Sequence, residues 1–237
     1  MGNISRRTFL AFTAGAAIAP SLCWGAEQVP SLLDHILLGC NDLEHGIAFV
    51  EEHTGVRAAF GGVHPGRGTQ NALLALGTRR YLEIIAPDPK QSGAEQYSVI
   101  TKLKQPRLVG WAAHRDDLDQ FAERLKHSGI EFEGPQPGSR ERPDGTVLHW
   151  KALRLKDDHG GLLPFFIEWS RDSVHPSKDG PTGCTLERFE VNTPDTEDFL
   201  HAASRVELDL SKMSLAAREA SLHATIRGPK GQLSITS

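Results

Sequence analysis

The run Leu32-Leu33-Asp34-His35-Ile36-Leu37-Leu38 is apolar on both of its alternating faces and reads as a strand buried on two sides. Asn41-Asp42 then supplies a helix cap. Leu43, Ile47 and Val50 fall on one side of that helix, and Gly55 stops it. Beyond a glycine-rich stretch, residues 71–76 and 81–85 read as two strands, with Gly77-Thr78 as the turn between them. The same order then returns. Leu108-Val109-Gly110-Trp111-Ala112-Ala113 is a strand, and Asp116-Asp117 opens a helix with Leu118, Phe121, Ala122 and Leu125 at helical spacing. Gly145-Thr146-Val147-Leu148 echoes Gly68-Thr69-Gln70-Asn71, and Phe165-Phe166-Ile167-Glu168-Trp169 echoes Arg80-Tyr81-Leu82-Glu83-Ile84.

A third, weaker copy follows a Ser-, Pro-, Asp- and Gly-rich linker at 170–183. Residues 186–191 read as a strand, 195–203 as a helix, and 221–226 with 233–235 as a hairpin turned at Gly228-Pro229-Lys230-Gly231. This copy has Ser234 where the others have Glu83 and Glu168. The expected architecture is α+β, with module one at 31–88, module two at 106–170 and a partial βαββ-like extension at 184–237.

The N-terminus reads differently. Ser5-Arg6-Arg7-Thr8-Phe9-Leu10 precedes a short apolar run, with small residues at Gly25 and Ala26. The arginine pair resembles the twin-arginine export consensus, so residues 1–26 are expected to be a signal peptide recognised by the twin-arginine translocation machinery. The run is shorter than the roughly 20 apolar residues of a spanning helix. The expected location is periplasmic or secreted. About 210 residues remain, enough for a substantial core. A formal charge of −4 supplies no basic field for nucleic acid. Cys40 and Cys184 survive cleavage, either as two free thiols or as one bridge.

The repeated unit resembles the vicinal oxygen chelate superfamily and, within it, the glyoxalase-like domain group. The resemblance rests on Leu33-Asp34-His35-Ile36, on His64 with Gly68-Thr69-Gln70-Asn71, and on Tyr81-Leu82-Glu83-Ile84-Ile85. It implies paired βαβββ modules of the glyoxalase/dihydroxybiphenyl-dioxygenase type, whose curved sheets enclose a metal-binding cavity. Alternation puts His35 with Leu37, and Glu83 with Tyr81 and Ile85. A carboxylate inside so apolar a strand is costly to bury unless it is paired or bound to metal, and Glu168 poses the same problem.

The resemblance also calls for a ligand from the first strand of module two. There Val109 or Gly110 stands opposite His35, and neither ligates; His114 lies farther along. What remains is a three-ligand set, His35, Glu83 and Glu168, suited to Mn²⁺, Fe²⁺, Ni²⁺ or Zn²⁺. Alternatively, His35 is a sheet histidine, and Glu83 and Glu168 pair with Arg80 or Arg154. Glu83, Glu168 and His149 are the candidate acid–base residues, and His64, Thr69 and Asn71 the candidate ligand contacts. The function expected from the resemblance is an exported metal-dependent lyase, isomerase or dioxygenase-like enzyme for a small oxygen-rich molecule. The alternative is a metal-free protein that sequesters such a ligand. The C-terminal unit, with its open sheet edge, is a candidate homodimer contact.

Overall fold

The computed structural model describes residues 28–92 and 98–237. The predicted signal peptide therefore lies outside the described residues. The first module comprises β1 (Leu33–Gly39), α1 (Leu43–Thr54), β2 (Ala59–His64), β3 (Thr69–Ala75) and β4 (Tyr81–Pro87). A single helical turn, α2 (Ser98–Thr101), leads to the second module. That module comprises β5 (Arg107–His114), α3 (Leu118–His127), β6 (Phe132–Glu141), β7 (Val147–Leu155) and β8 (Phe165–Trp169).

These eight strands close a barrel in the order β1-β4-β3-β2-β6-β7-β8-β5. Each module contributes its strands in the same internal order, with its first strand parallel to its last. The modules meet along β1 and β5, which run antiparallel, and again where β2 touches β6 at Val63 and Glu141. The fold is that of the paired βαβββ modules read from the sequence.

Helix α1 begins where Asp42 accepts a hydrogen bond from the His45 amide, and it ends at Gly55 in the left-handed conformation. Ile36 and Leu38 of β1, with Leu82 and Ile84 of β4, join Leu43, Ile47 and Val50 in the core outside the barrel. Phe166, Leu153 and Trp111 meet Leu118, Phe121 and Leu125 of α3 in the same core. Burying a Leu, Ile or Phe side chain contributes roughly 1.5–3 kcal/mol, so this outer layer holds the helices against the strands. The opposite faces of the same strands point into the barrel.

The βαβββ pattern calls for a third strand in each module, but no run in the sequence marks β2 or β6. Gly61-Gly62 in β2, and Gly134-Pro135 with Pro137-Gly138 in β6, break the strand signal. The β6–β7 ladder itself shifts register between Glu133 and Gln136. The C-terminal unit contains β9 (Thr185–Thr193), α4 (Thr196–Arg205), β10 (Ser214–Ala217), β11 (Ser221–Arg227) and β12 (Gln232–Thr236). Its sheet order is β10-β9-β11-β12, so β9 pairs in parallel with the strand that follows it rather than with the last strand. Phe189 of this sheet packs on Trp111 with ring centres 5.2 Å apart. Cys40 and Cys184 are both buried free thiols.

Candidate active site

The barrel encloses a cavity of about 760 Å³. Alternation along the strands brings His35 and Leu37 of β1 into its lining together with Tyr81, Glu83 and Ile85 of β4. Asn71 of β3 and His64, the last residue of β2, complete the wall of the first module.

Glu83 is the centre of this wall. Its Oε1 accepts a hydrogen bond from Asn71 Nδ2 at 2.7 Å and lies 3.7 Å from His64 Nε2. Its Oε2 lies 3.5 Å from His35 Nε2. Burial opposes ionisation of Glu83, but His35, His64, Asn71 and Arg140 outweigh it and hold the carboxyl below its ordinary range. His64 Nδ1 sits 2.9 Å from the Thr69 hydroxyl. Burial, with Arg140 and Arg67, lowers the His64 pKa against the pull of Glu83, which favours the neutral ring. The Asn71 amide is oriented by both of its neighbours, since its Oδ1 accepts from Arg140 Nη1 at 3.2 Å.

Arg140 comes from β6, and sequence reasoning missed it together with its strand. Its side chain lies against Gly61 and Gly62, where a Cβ would press on the Arg140 guanidinium and stem. Only 3% exposed, it leaves Nε and Nη2 without a hydrogen-bond partner among the described residues. Burial pulls its pKa down, while Tyr81 and Glu83 pull it back up.

A second cluster backs His35. The β1–β5 pairing slips between Leu33 and His35, and the extra residue in that bulge is Asp34. Its carboxylate is fully buried. It accepts from His35 Nδ1 at 2.7 Å, from His175 Nε2 at 3.1 Å and from Trp169 Nε1 at 3.3 Å. Burial raises the pKa of Asp34, but the two histidine contacts prevail and keep it ionised far below its ordinary range. His175 lies in the segment read as a linker. A single 3₁₀ turn at Pro176–Lys178 fixes it there, with the Ser177 amide donating to its Nδ1 at 3.2 Å. The Tyr81 ring stacks on His35 at 4.5 Å, and Phe165 meets it edge-on at 5.5 Å.

The structure brings His35, Glu83, His64, Thr69 and Asn71 together, but not Glu168 or His149. In β8 the inward positions belong to Phe165, Ile167 and Trp169, and Glu168 faces α3. There its Oε2 accepts from the Leu118 amide at 2.8 Å, capping a helix whose own Asp117 makes no side-chain cap. A one-residue offset in strand register accounts for the correction, because it moves a side chain to the opposite face. His149 is exposed on β7, and its backbone amide donates to the Ser173 hydroxyl.

The N-caps Asp42 and Asp117 align the two modules so that Gly110 matches His35, while the residue paired across the strands with His35 is Ala112; neither can ligate. The three-ligand metal set is therefore not assembled. Among the described residues no group of three or more His, Cys, Asp or Glu is arranged to hold a metal ion. What the site does present is an ionised carboxylate between two imidazoles, beside a buried guanidinium with unused donors.

Residues 33–207 match the family described as "Glyoxalase-like domain". The chain belongs to the glyoxalase-like domain family. It is thus a vicinal oxygen chelate protein, as the paired modules also indicate. No curated protein matches it. Among solved structures, a hypothetical protein from Staphylococcus aureus is 15% identical, with a TM-score of 0.59 over 86% of this chain and 84% of that one. Methylmalonyl-CoA epimerase from Mycobacterium tuberculosis is 22% identical over 60% of this chain and 89% of its own, with a TM-score of 0.43. A Streptomyces coelicolor methylmalonyl-CoA epimerase in complex with 2-nitronate-propionyl-CoA is 20% identical over 59% and 98%, with a TM-score of 0.44. At 15% identity the Staphylococcus aureus likeness bears on the fold alone.

Proposed function

We propose that this glyoxalase-like protein binds a small, oxygen-rich anion and moves a proton on it, as an isomerase or lyase does. The observation that carries this reading is Arg140. A guanidinium 3% exposed, with Nε and Nη2 unpartnered among the described residues, is a costly arrangement by itself; it lines the cavity, and a carboxylate or enolate oxygen that draws it inward would complete it. Glu83, one hydrogen-bonded amide away through Asn71, is the group that takes the proton. Held ionised by His35, His64, Asn71 and Arg140, it becomes a stronger base when a ligand anion offsets the charge of Arg140. His35, with a carboxylate at each ring nitrogen, holds or returns that proton. Arg140 stabilises the oxyanion that forms as the proton leaves carbon.

The Ser5-Arg6-Arg7-Thr8-Phe9-Leu10 segment supports export of the folded protein and action outside the cytoplasm.

The test uses a panel of small 2-oxo acids, with binding followed by calorimetry and exchange of the hydrogen next to the carbonyl followed by NMR in D₂O. Binding that Arg140→Met weakens by about 10-fold or more is expected, since charge-assisted hydrogen bonds are at stake. Exchange is expected to stop in Glu83→Gln while binding persists. Binding that is indifferent to Arg140→Met would overturn the anion reading. Binding without any exchange would favour the sequestering alternative.

A further inference from the structure

The inward faces of the two modules differ in chemistry. The first supplies His35, His64, Asn71 and Glu83, with Arg140 reaching across from β6. The rest of the second module's inward face carries Trp150, Ala152, Phe165, Ile167 and Trp169, with Arg107, Arg154 and Asp158 also in the cavity lining. Trp150, Phe165 and Trp169 are only half-buried although they line the cavity, so part of their surface stays open there. Apolar surface of this kind gains most from an apolar ligand group that displaces water.

The two indoles are also held in place. Trp169 Nε1 donates to the Asp34 carboxylate at 3.3 Å. Trp150 lies over Gly138, where a Cβ would stand 2.5 Å from the indole Nε1, so only glycine leaves room for the ring. Their ring centres are 5.5 Å apart and tilted by 53°. The indole wall begins where the polar wall ends, with Trp150 edge-on to His64 at 6.5 Å. Phe165 is already stacked by the Arg154 guanidinium at 4.4 Å, which leaves the two indoles as the open rings.

We propose that the ligand is an aryl carboxylate, with its carboxylate at Arg140 and its aromatic ring against Trp150 and Trp169. This rests on the anion-binding reading of Arg140 given above. An aliphatic body would gain the same area of contact. An aryl ring adds the edge-to-face and offset contacts that two tilted indoles offer.

The experiment titrates the protein by calorimetry with phenylpyruvate, pyruvate, 4-methyl-2-oxopentanoate and the neutral 1-phenyl-2-propanone, and records tryptophan fluorescence alongside. Phenylpyruvate is expected to bind about 10- to 100-fold more tightly than pyruvate, from burial of its ring. It should also bind more tightly than the aliphatic acid and the neutral ketone, and quench the fluorescence. Trp150→Leu should shrink the phenylpyruvate advantage while pyruvate affinity stays within about threefold. Trp150→Phe, which keeps a ring, should restore most of that advantage and guards against a variant that folds poorly. Equal affinity for phenylpyruvate and pyruvate, or tighter binding of the aliphatic acid, would overturn the aryl assignment. If pyruvate still binds through Arg140 in that case, the anion reading stands and only the aryl assignment falls. If no acid binds, both fall.

Discussion

Arg140 and Asn71 are hydrogen-bonded at 3.2 Å across the junction where β2 and β6 complete the barrel, a junction with a single backbone register pair. The side-chain contact thus spans the thinnest seam of the fold. It depends on Gly62, whose φ of +140° few other residues adopt and whose missing Cβ leaves space for the Glu141 carbonyl and the Arg140 stem.

Gly62→Ala is therefore expected to destabilise the protein by about 2 kcal/mol or more, through backbone strain and collision together. Gly66→Ala has φ +71° but meets nothing within 4 Å, and should cost only the strain, about 1 kcal/mol. Urea unfolding of the two variants separates the contributions, and equal losses would contradict the steric part.

Glu168→Ala is expected to lower stability by about 1 kcal/mol, because it removes the acceptor for the Leu118 amide at the start of α3. Ligand affinity should stay unchanged, since the side chain faces away from the cavity. A drop in affinity without a drop in stability would return Glu168 to the site.

Acid should weaken the fold from the cavity outward. His64, Glu83 and Asp34 all have folded pKa values below their ordinary ones. For each, the unfolded chain binds the proton more readily, so stability is full above the ordinary value and is lost as pH falls toward the folded one. His64 comes first, below its ordinary 6.5, and the carboxylates follow below about 4. Unfolding free energies measured from pH 7 to 5 should decline in the native protein and decline less in His64→Asn.

Both thiols should be slow toward aromatic disulfide reagents in the native state. Burial, with Asp42 nearby, pushes Cys40 up to about 12, and burial raises Cys184 as well. Both should react promptly in denaturant. Fast reaction of Cys40 in the folded protein at pH 8 would contradict its burial in the core.

The repeat was legible because its signals are local. Leu43, Ile47 and Val50 mark a helix face, Asp42 and Gly55 mark its ends, and His35 and Glu83 declare their strand face by parity. The parity of Glu168 misled, because aligning Phe165–Trp169 with Arg80–Ile84 is out by one residue and only the pairing of β5 with β8 reveals it. Arg140 was hidden in a strand interrupted by Gly and Pro. His175 was hidden in a segment whose composition reads as a loop. Neither carries a local signature, since each matters through a partner more than 60 residues away, Asn71 for one and Asp34 for the other.

The unlike walls of the barrel have a consequence for how its specificity can change. A duplicated fold begins with two equivalent sites, whereas here Glu83 faces the cavity from one copy and Ile167 from the other. On the proposed reading, such a chamber would have one reactive pole and would take one guest per chain in one orientation. Exchanging Ile167 or Ala152 for other apolar residues would alter which guest fits and leave the groups that handle the proton in place. Under that reading, ligand preference would be free to drift along the second copy while the first keeps the proposed chemistry.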